Sequence, residues 1–179
     1  MAYPKITVNT GKALAVIASD TIPIPSPDCP EISGTNGTTQ NGKLVDSSKD
    51  FITAGVEVGD IVYNTSDNTS ATVSAIDSAS LLTLSANIMA SGEAYTIFLN
   101  GPIFDQRIQS SSGCLLYVGS SEATMTVATS FVDVKVKTVD GSIVTFSNFP
   151  VGEYLPVQVL QLYATGTDAA ADNNCLAIW

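Results

Sequence analysis

Histidine is absent from the 179-residue chain, and that omission removes most proton-transfer chemistry available near neutral pH. It also removes the commonest ligand for zinc, copper and nickel and the usual base of a hydrolase triad. Cysteine is scarce: Cys29, Cys114 and Cys175 are odd in number and far apart, so they supply neither a CxxC metal site nor a complete disulfide framework, and are expected to stay reduced and buried. Basic residues are few. Seven Lys and Arg stand against seventeen Asp and Glu, a net charge of −10 that repels phosphate backbones and anionic headgroups, so neither nucleic acid nor membrane is expected as a direct partner. No run approaches the roughly 20 apolar residues that span a bilayer. The apolar stretch Ala13 to Ala18 is shorter than the roughly 7 to 15 residues of a secretory core and meets Asp20 directly, so it reads as part of a strand, Lys5 to Ala18, of a soluble protein made in the cytoplasm.

What is present points to β-structure. Apolar residues make up 45% of the chain and charged residues 13%, enough core material for one ordinary domain or two small ones. Short runs rich in Val, Ile, Thr, Phe and Tyr recur between Gly, Pro, Asn, Asp and Ser clusters, while helical periodicity is hard to find. In "FVDVKVKTVDGSIVTFSNF", Val132, Val134 and Val136 alternate with Asp133, Lys135 and Lys137 before Asp140-Gly141, a pair suited to a type I′ turn; this predicts a hairpin. Strands are also predicted at Cys114 to Val118 and Leu155 to Tyr163. In the latter, the switch from Val157 and Val159 to Leu160 and Leu162 breaks the period of two and predicts a bulge near Leu160. The terminal "CLAIW" is too apolar for a frayed tail, so Trp179 is expected to dock as part of a final strand or against a neighbouring subunit.

Residues 30 to 100 form a separate run of short strands, at Lys43 to Asp46, Ile61 to Asn64, Ala71 to Ile76, Leu81 to Ser85 and Ala94 to Leu99, with a turn across Gly34 to Gly42. Pro23, Pro25, Pro27 and Pro30 make the lead-in an extended connector. The expected architecture is all-β: an outer β-sandwich or barrel from residues 1–29 plus 101–179, with a small β-barrel or sandwich, residues 30–100, inserted into it.

Candidate chemistry is thin. The loop "TGTDAAADNN" offers Asp168, Asp172, Asn173 and Asn174 as oxygen donors but lacks EF-hand spacing and reads as a solvated turn. Asp46, Asp50, Glu57 and Asp60 have no partner base and read as surface charges. "SSSGC" at 110–114 has no histidine to activate a nucleophile, and no G-x-S-x-G elbow exists. The Asn-x-Ser/Thr triplets at Asn36, Asn64 and Asn68 read as chance on a Thr-rich surface. The expectation is a protein that is not an enzyme, with no catalytic, cofactor or metal residue, whose work is packing against other proteins. Its candidate interface residues are Ile22, Pro23, Ile24 and Pro25 in the connector and the aromatic anchors Tyr154, Tyr163 and Trp179.

The stretch from Lys43 to Phe98 carries Asp46-x-x-x-x-Phe51, Gly55-Val56, Val58-Gly59-Asp60, the turn after Val62-Tyr63-Asn64, Thr72-Val73-Ser74-Ala75-Ile76 and Leu82-Thr83-Leu84-Ser85. It resembles a small β module that recurs in tailed-bacteriophage virion proteins. The two ends, "YPKITVNTGKALAVIASDTIPIPSP" and "GEYLPVQVLQLYATGTDAAADNNCLAIW", are similar to those of small structural proteins of marine and cyanobacterial phages. The resemblance implies a capsid decoration or cement protein, made in the host cytoplasm and located on the virion surface. It further implies the major capsid protein as partner, a homo-oligomer with a trimer favoured, and the segment 22 to 30 as a trimer arm. A neck, tail or fibre component, or a virion-surface carbohydrate-binding module using exposed aromatics of residues 43–98, would share the same composition. Residues 58 to 77 themselves read as scaffold, with Gly59-Asp60 and Asp67-Asn68 as turns.

Overall fold

A computed structural model describes residues 11–26, 29–99, 113–121, 130–168, 171 and 173–179. The first half of the expected strand Lys5 to Ala18, the turn at Asn100, the serines of "SSSGC" and Asp172 lie outside the described residues. The fold is all-β, with two six-stranded antiparallel sheets, one of them curled into half a barrel.

Strands β1 (Ala13–Val16), β8 (Cys114–Val118), β9 (Phe131–Thr138), β10 (Ile143–Pro150), β11 (Tyr154–Leu162) and β12 (Cys175–Ile178) build one sheet in the order β1-β12-β8-β11-β9-β10. The predicted hairpin is β9–β10, closed at Gly141 with φ +89°, and Val132, Val134 and Val136 are its buried face. The register of β11 against β9 slips between Val159 and Gln161, placing the expected bulge at Leu160. Because of that slip Gln161 turns inward, 8% exposed, and its side-chain amide donates to the Ser19 carbonyl at 2.9 Å. The terminal "CLAIW" is no tail: β12 is paired on both sides, with β1 and with β8. Trp179 packs against the core of this sheet, and its carbonyl accepts from the Gly11 amide at 3.1 Å.

Strands β2 (Glu31–Thr35), β3 (Lys43–Val45), β4 (Ile61–Asn64), β5 (Thr69–Ser78), β6 (Leu81–Leu84) and β7 (Ala94–Phe98) pair with one another in the order β2-β7-β4-β5-β6-β3. Strand β5 joins β4 through residues 69–72 and β6 through residues 73–78, and two register shifts bend it from one partner to the other. Asn68 takes φ 58° in the β4–β5 turn, a conformation asparagine tolerates. Strand β2 is an element that the sequence reading gave partly to the turn beginning at Gly34.

A third apolar cluster joins the sheets. Ile17, Ile22 and Cys29 pack against Ile61, Tyr63 and Phe98, and Tyr63, 3% exposed, is hydrogen-bonded through its hydroxyl to the Ile17 backbone. All four residues of β4 are buried: Val62 belongs to the core of its own sheet, while Ile61 and Tyr63 face the other.

Candidate interaction surfaces

The acidic residues do not converge. Two of them close local turns: Asp50 accepts from the Thr53 amide at 3.0 Å and hydroxyl at 2.8 Å, and Asp60, 1% exposed, accepts from the Glu57 amide at 2.8 Å. Asp46 corrects the surface reading most sharply. It is 5% exposed, accepts from the Ser48 amide and hydroxyl at 2.9 and 2.6 Å, and receives the Tyr95 hydroxyl at 2.8 Å. Burial pushes its carboxyl up, but the bonds donated by Ser48 and Tyr95 outweigh that and hold it below the ordinary value. Burial beside the same carboxylate raises the Tyr95 phenol. The pair is a buried tether between the end of β3 and the start of β7.

The 163–168 loop is tied to β9 through backbone and side chain. The Asp133 amide donates to Asp168 at 2.8 Å, the Lys135 amide to Thr167 at 3.0 Å, and Asp20 accepts from the Thr165 amide at 3.0 Å and hydroxyl at 2.6 Å. Among the described residues no group of three His, Cys, Asp or Glu is placed to hold a metal ion. Asn36 and Asn64 are buried, with side-chain amides committed to the Thr38 and Ala90 carbonyls and to the Ile88 carbonyl and Glu93 respectively. The thiols are buried too: burial pushes Cys114 up to about 12, and its sulfur lies 3.4 Å from the Val159 carbonyl.

The seven sequence-predicted interface residues separate into two groups. Ile22 and Ile24 are 7% and 1% exposed and Pro25 is buried, so these side chains fill this chain's own interior rather than facing a partner. The extended backbone of the connector lies along β11, with the Ile24 amide on the Leu160 carbonyl at 2.9 Å, which turns Ile24 into the outer core and Ile22 into the junction cluster. Pro23 is half-buried. Tyr154 stands on the surface, 52% exposed, edge-to-face with Tyr117 at 5.4 Å. Tyr163 is half-buried beneath the Lys135 ammonium, 5.1 Å from the ring centre, and Trp179 is half-buried against the core.

The surface that sequence reasoning missed is the β9–β10 edge. Strand β10 contains no charged residue, ends its sheet among the described residues, and exposes Ile143 at 56% and Val144 at 39%, with Phe131 on the neighbouring strand at 46%. Its pairing with β9 is regular from Ile143 to Phe146, then a bulge with Asn148 at φ 51° and Pro150 blunt the remainder. Val144 also borders an open groove shared with Val139, Val157 and Gln158. The signal available in the sequence was the run of twelve uncharged residues from Gly141 to Gly152. No family model, curated protein or solved structure matches the chain.

Proposed function

We propose that the chain is a bacteriophage virion structural protein of the capsid decoration type, which binds the outer face of an assembled shell and stabilises contacts between capsomers, with the major capsid protein as partner. The observation that carries this reading is the uncharged β10 edge on a chain of net charge −10. Its regular half, Ile143 to Phe146, presents apolar side chains together with a strand edge that no described residue pairs, the combination by which a strand is added to another protein's sheet. The class of partner proposed here follows the resemblance noted in the sequence of residues 43–98 and of both ends. The buried Tyr63 junction supports a clamp, because load applied at one sheet passes to the other through packed side chains. Many weak copies on one lattice would supply avidity that a single contact lacks.

The carbohydrate-binding alternative has less support: Phe51, Tyr63, Tyr95 and Phe98, the aromatic residues of 43–98, are all at or below 3% exposure, leaving no stacking platform there. The test is quantitative mass spectrometry of purified particles together with binding of the purified chain to empty expanded shells of the same phage. Decoration requires copy numbers in the hundreds, saturable shell binding, a gain in shell heat resistance, and loss of binding on Val144→Asp. A dozen copies at one vertex would instead assign the chain to a neck or tail, and absence from particles would end the proposal.

A further inference from the structure

Two Asn-Gly pairs lie close together between β2 and β3, Asn36-Gly37 and Asn41-Gly42, and the fold treats them in opposite ways. An asparagine followed by glycine is prone to react with its own backbone: with no Cβ in the way, the glycine nitrogen reaches the asparagine side-chain carbon and closes an imide ring. Asn36 is 0% exposed and fully engaged. Its amide nitrogen donates to the Thr38 carbonyl at 3.0 Å and the Ala90 carbonyl at 2.8 Å, and its oxygen accepts from the Val45 amide at 2.7 Å. The Gly37 amide is held by the Val45 carbonyl at 2.7 Å, so the attacking nitrogen and the carbon it would attack are both fixed. Asn41 stands in the turn before β3, exposed, and its side chain enters no hydrogen bond among the described residues. Gly42 follows at φ +66°, a left-handed position that suits glycine, and the side on which a Cβ would stand meets only the Leu84 carbonyl, 4.0 Å away. Asn68 separates exposure from neighbour: it is exposed as well, but the β-branched Thr69 follows it.

We propose that Asn41 is a site of spontaneous deamidation and that Asn87 sets its rate. The Gly42 amide donates to Asn87 Oδ1 at 2.9 Å. In the reaction hydroxide removes that amide proton, and the nitrogen attacks Asn41 Cγ. The Cγ–Nδ2 bond then breaks, and ammonia leaves after taking a proton from water, which regenerates the hydroxide. Water opens the resulting imide at either carbonyl, leaving aspartate or isoaspartate at position 41. While the Gly42 proton is bonded to Asn87, its removal develops negative charge on the nitrogen against a carbonyl oxygen, so the bond is a brake on the first step. Either product adds a negative charge to a chain already at −10, next to the Lys43–Asp77 ion pair. Isoaspartate also inserts a methylene into the backbone between two anchors. These are the Gln40 carbonyl, which accepts from the Lys43 amide at 3.1 Å, and the Gly42 carbonyl, which accepts from the Leu84 amide at 2.8 Å. Those bonds seat the start of β3, so conversion loosens that strand with time. The site is separate from the β10 edge and stands whether or not the chain belongs to a virion.

Incubation of the purified full-length chain at mildly alkaline pH, followed by digestion and tandem mass spectrometry, tests it. The tryptic peptide between Lys12 and Lys43 carries Asn36 and Asn41 together, so each is an internal control for the other. The expected result is conversion at Asn41 that quickens as pH rises, with Asn36 and Asn68 intact in native protein and Asn36 converting once the chain is denatured. Asn87 is exposed, so its variants should keep the parent's melting transition. Asn87→Ala frees the Gly42 amide and should speed conversion about 2- to 12-fold, the rate equivalent of one hydrogen bond. Asn87→Asp, whose carboxylate holds the same proton more firmly, should be slower than the parent; a turn that was merely loosened would be faster in both. The site is refuted if Asn41 stays intact in the parent and in Asn87→Ala while denatured Asn36 converts, or if native Asn36 or Asn68 converts as fast as Asn41. Two faster variants, or two unchanged ones, would overturn the role given to Asn87.

Discussion

Replacing Gly34 by alanine probes how tightly the buried tether of the second sheet is built. The backbone there is extended, so a side chain meets no conformational barrier, and alanine would ordinarily stabilise by about 0.4–1 kcal/mol through the unfolded chain. Space is the obstacle: an added Cβ would lie 2.5 Å from Asp46 Oδ2, 2.5 Å from Tyr95 Oη and 2.7 Å from Tyr95 Cζ. Neither neighbour has room, because Tyr95 is 1% exposed and edge-to-face with Phe51 at 6.4 Å. Overpacking costs about 1–3 kcal/mol, and stretching the 2.8 Å Tyr95–Asp46 bond leaves a buried carboxylate short of a donor, about 1–3 kcal/mol more. Set against the entropic gain, the expected net loss is about 2–4 kcal/mol. In a chain of this length that is a fall in Tm of about 4–16 °C. Urea unfolding at pH 7 with a constant m-value measures it, and in a Tyr95→Phe background, where the Oη contact is gone, the penalty should shrink by at least about 1 kcal/mol. A Gly34→Ala protein as stable as the parent would refute the reasoning and show that edge strand β2 simply moves aside.

Three further outcomes are expected. Native protein should react with none of its three cysteines on exposure to a thiol reagent over minutes, and with all three once denatured; rapid labelling of the native state would show that a thiol is open. Stability should be flat from about pH 6 to 8, since no histidine titrates there. It should fall as acid protonates Asp46, Asp50, Asp77 and Asp140, whose carboxyls are held below the ordinary value by donated hydrogen bonds and so stabilise the fold only while ionised; a stability maximum below pH 4 contradicts this. Tyr63→Ala should cost about 3–5 kcal/mol by opening the junction cluster and split calorimetric melting into two transitions, one for each sheet; a single transition at the original temperature would remove the junction as the coupling element.

The parts of the fold legible in the sequence are those where local rules act alone. Alternation plus Asp140-Gly141 set the β9–β10 hairpin, and a break in that alternation marked the Leu160 bulge. Strand β2 was hidden because Gly34, which weakens a strand locally, is there to clear the Asp46–Tyr95 pair contributed by β3's end and β7. The same distance effect hid Asp46: its burial is decided by a tyrosine 49 residues away. Ile22 and Ile24 were misplaced because an extended, proline-bounded segment has no period to say which side is wet, and only the strand beneath it decides.

The second sheet begins and ends at neighbouring positions. Glu31 at the start of β2 lies opposite Phe98 at the end of β7, and the Leu99 amide donates to the Pro30 carbonyl at 3.0 Å. Excision between those two points would leave ends that a linker of a few glycines would rejoin, a geometry that would let residues 31–98 be exchanged as a cassette. Recombination could replace that cassette with another carrying different surface loops while the strands that receive it keep their pairing, provided the newcomer supplies apolar cover for Ile17, Ile22 and Cys29.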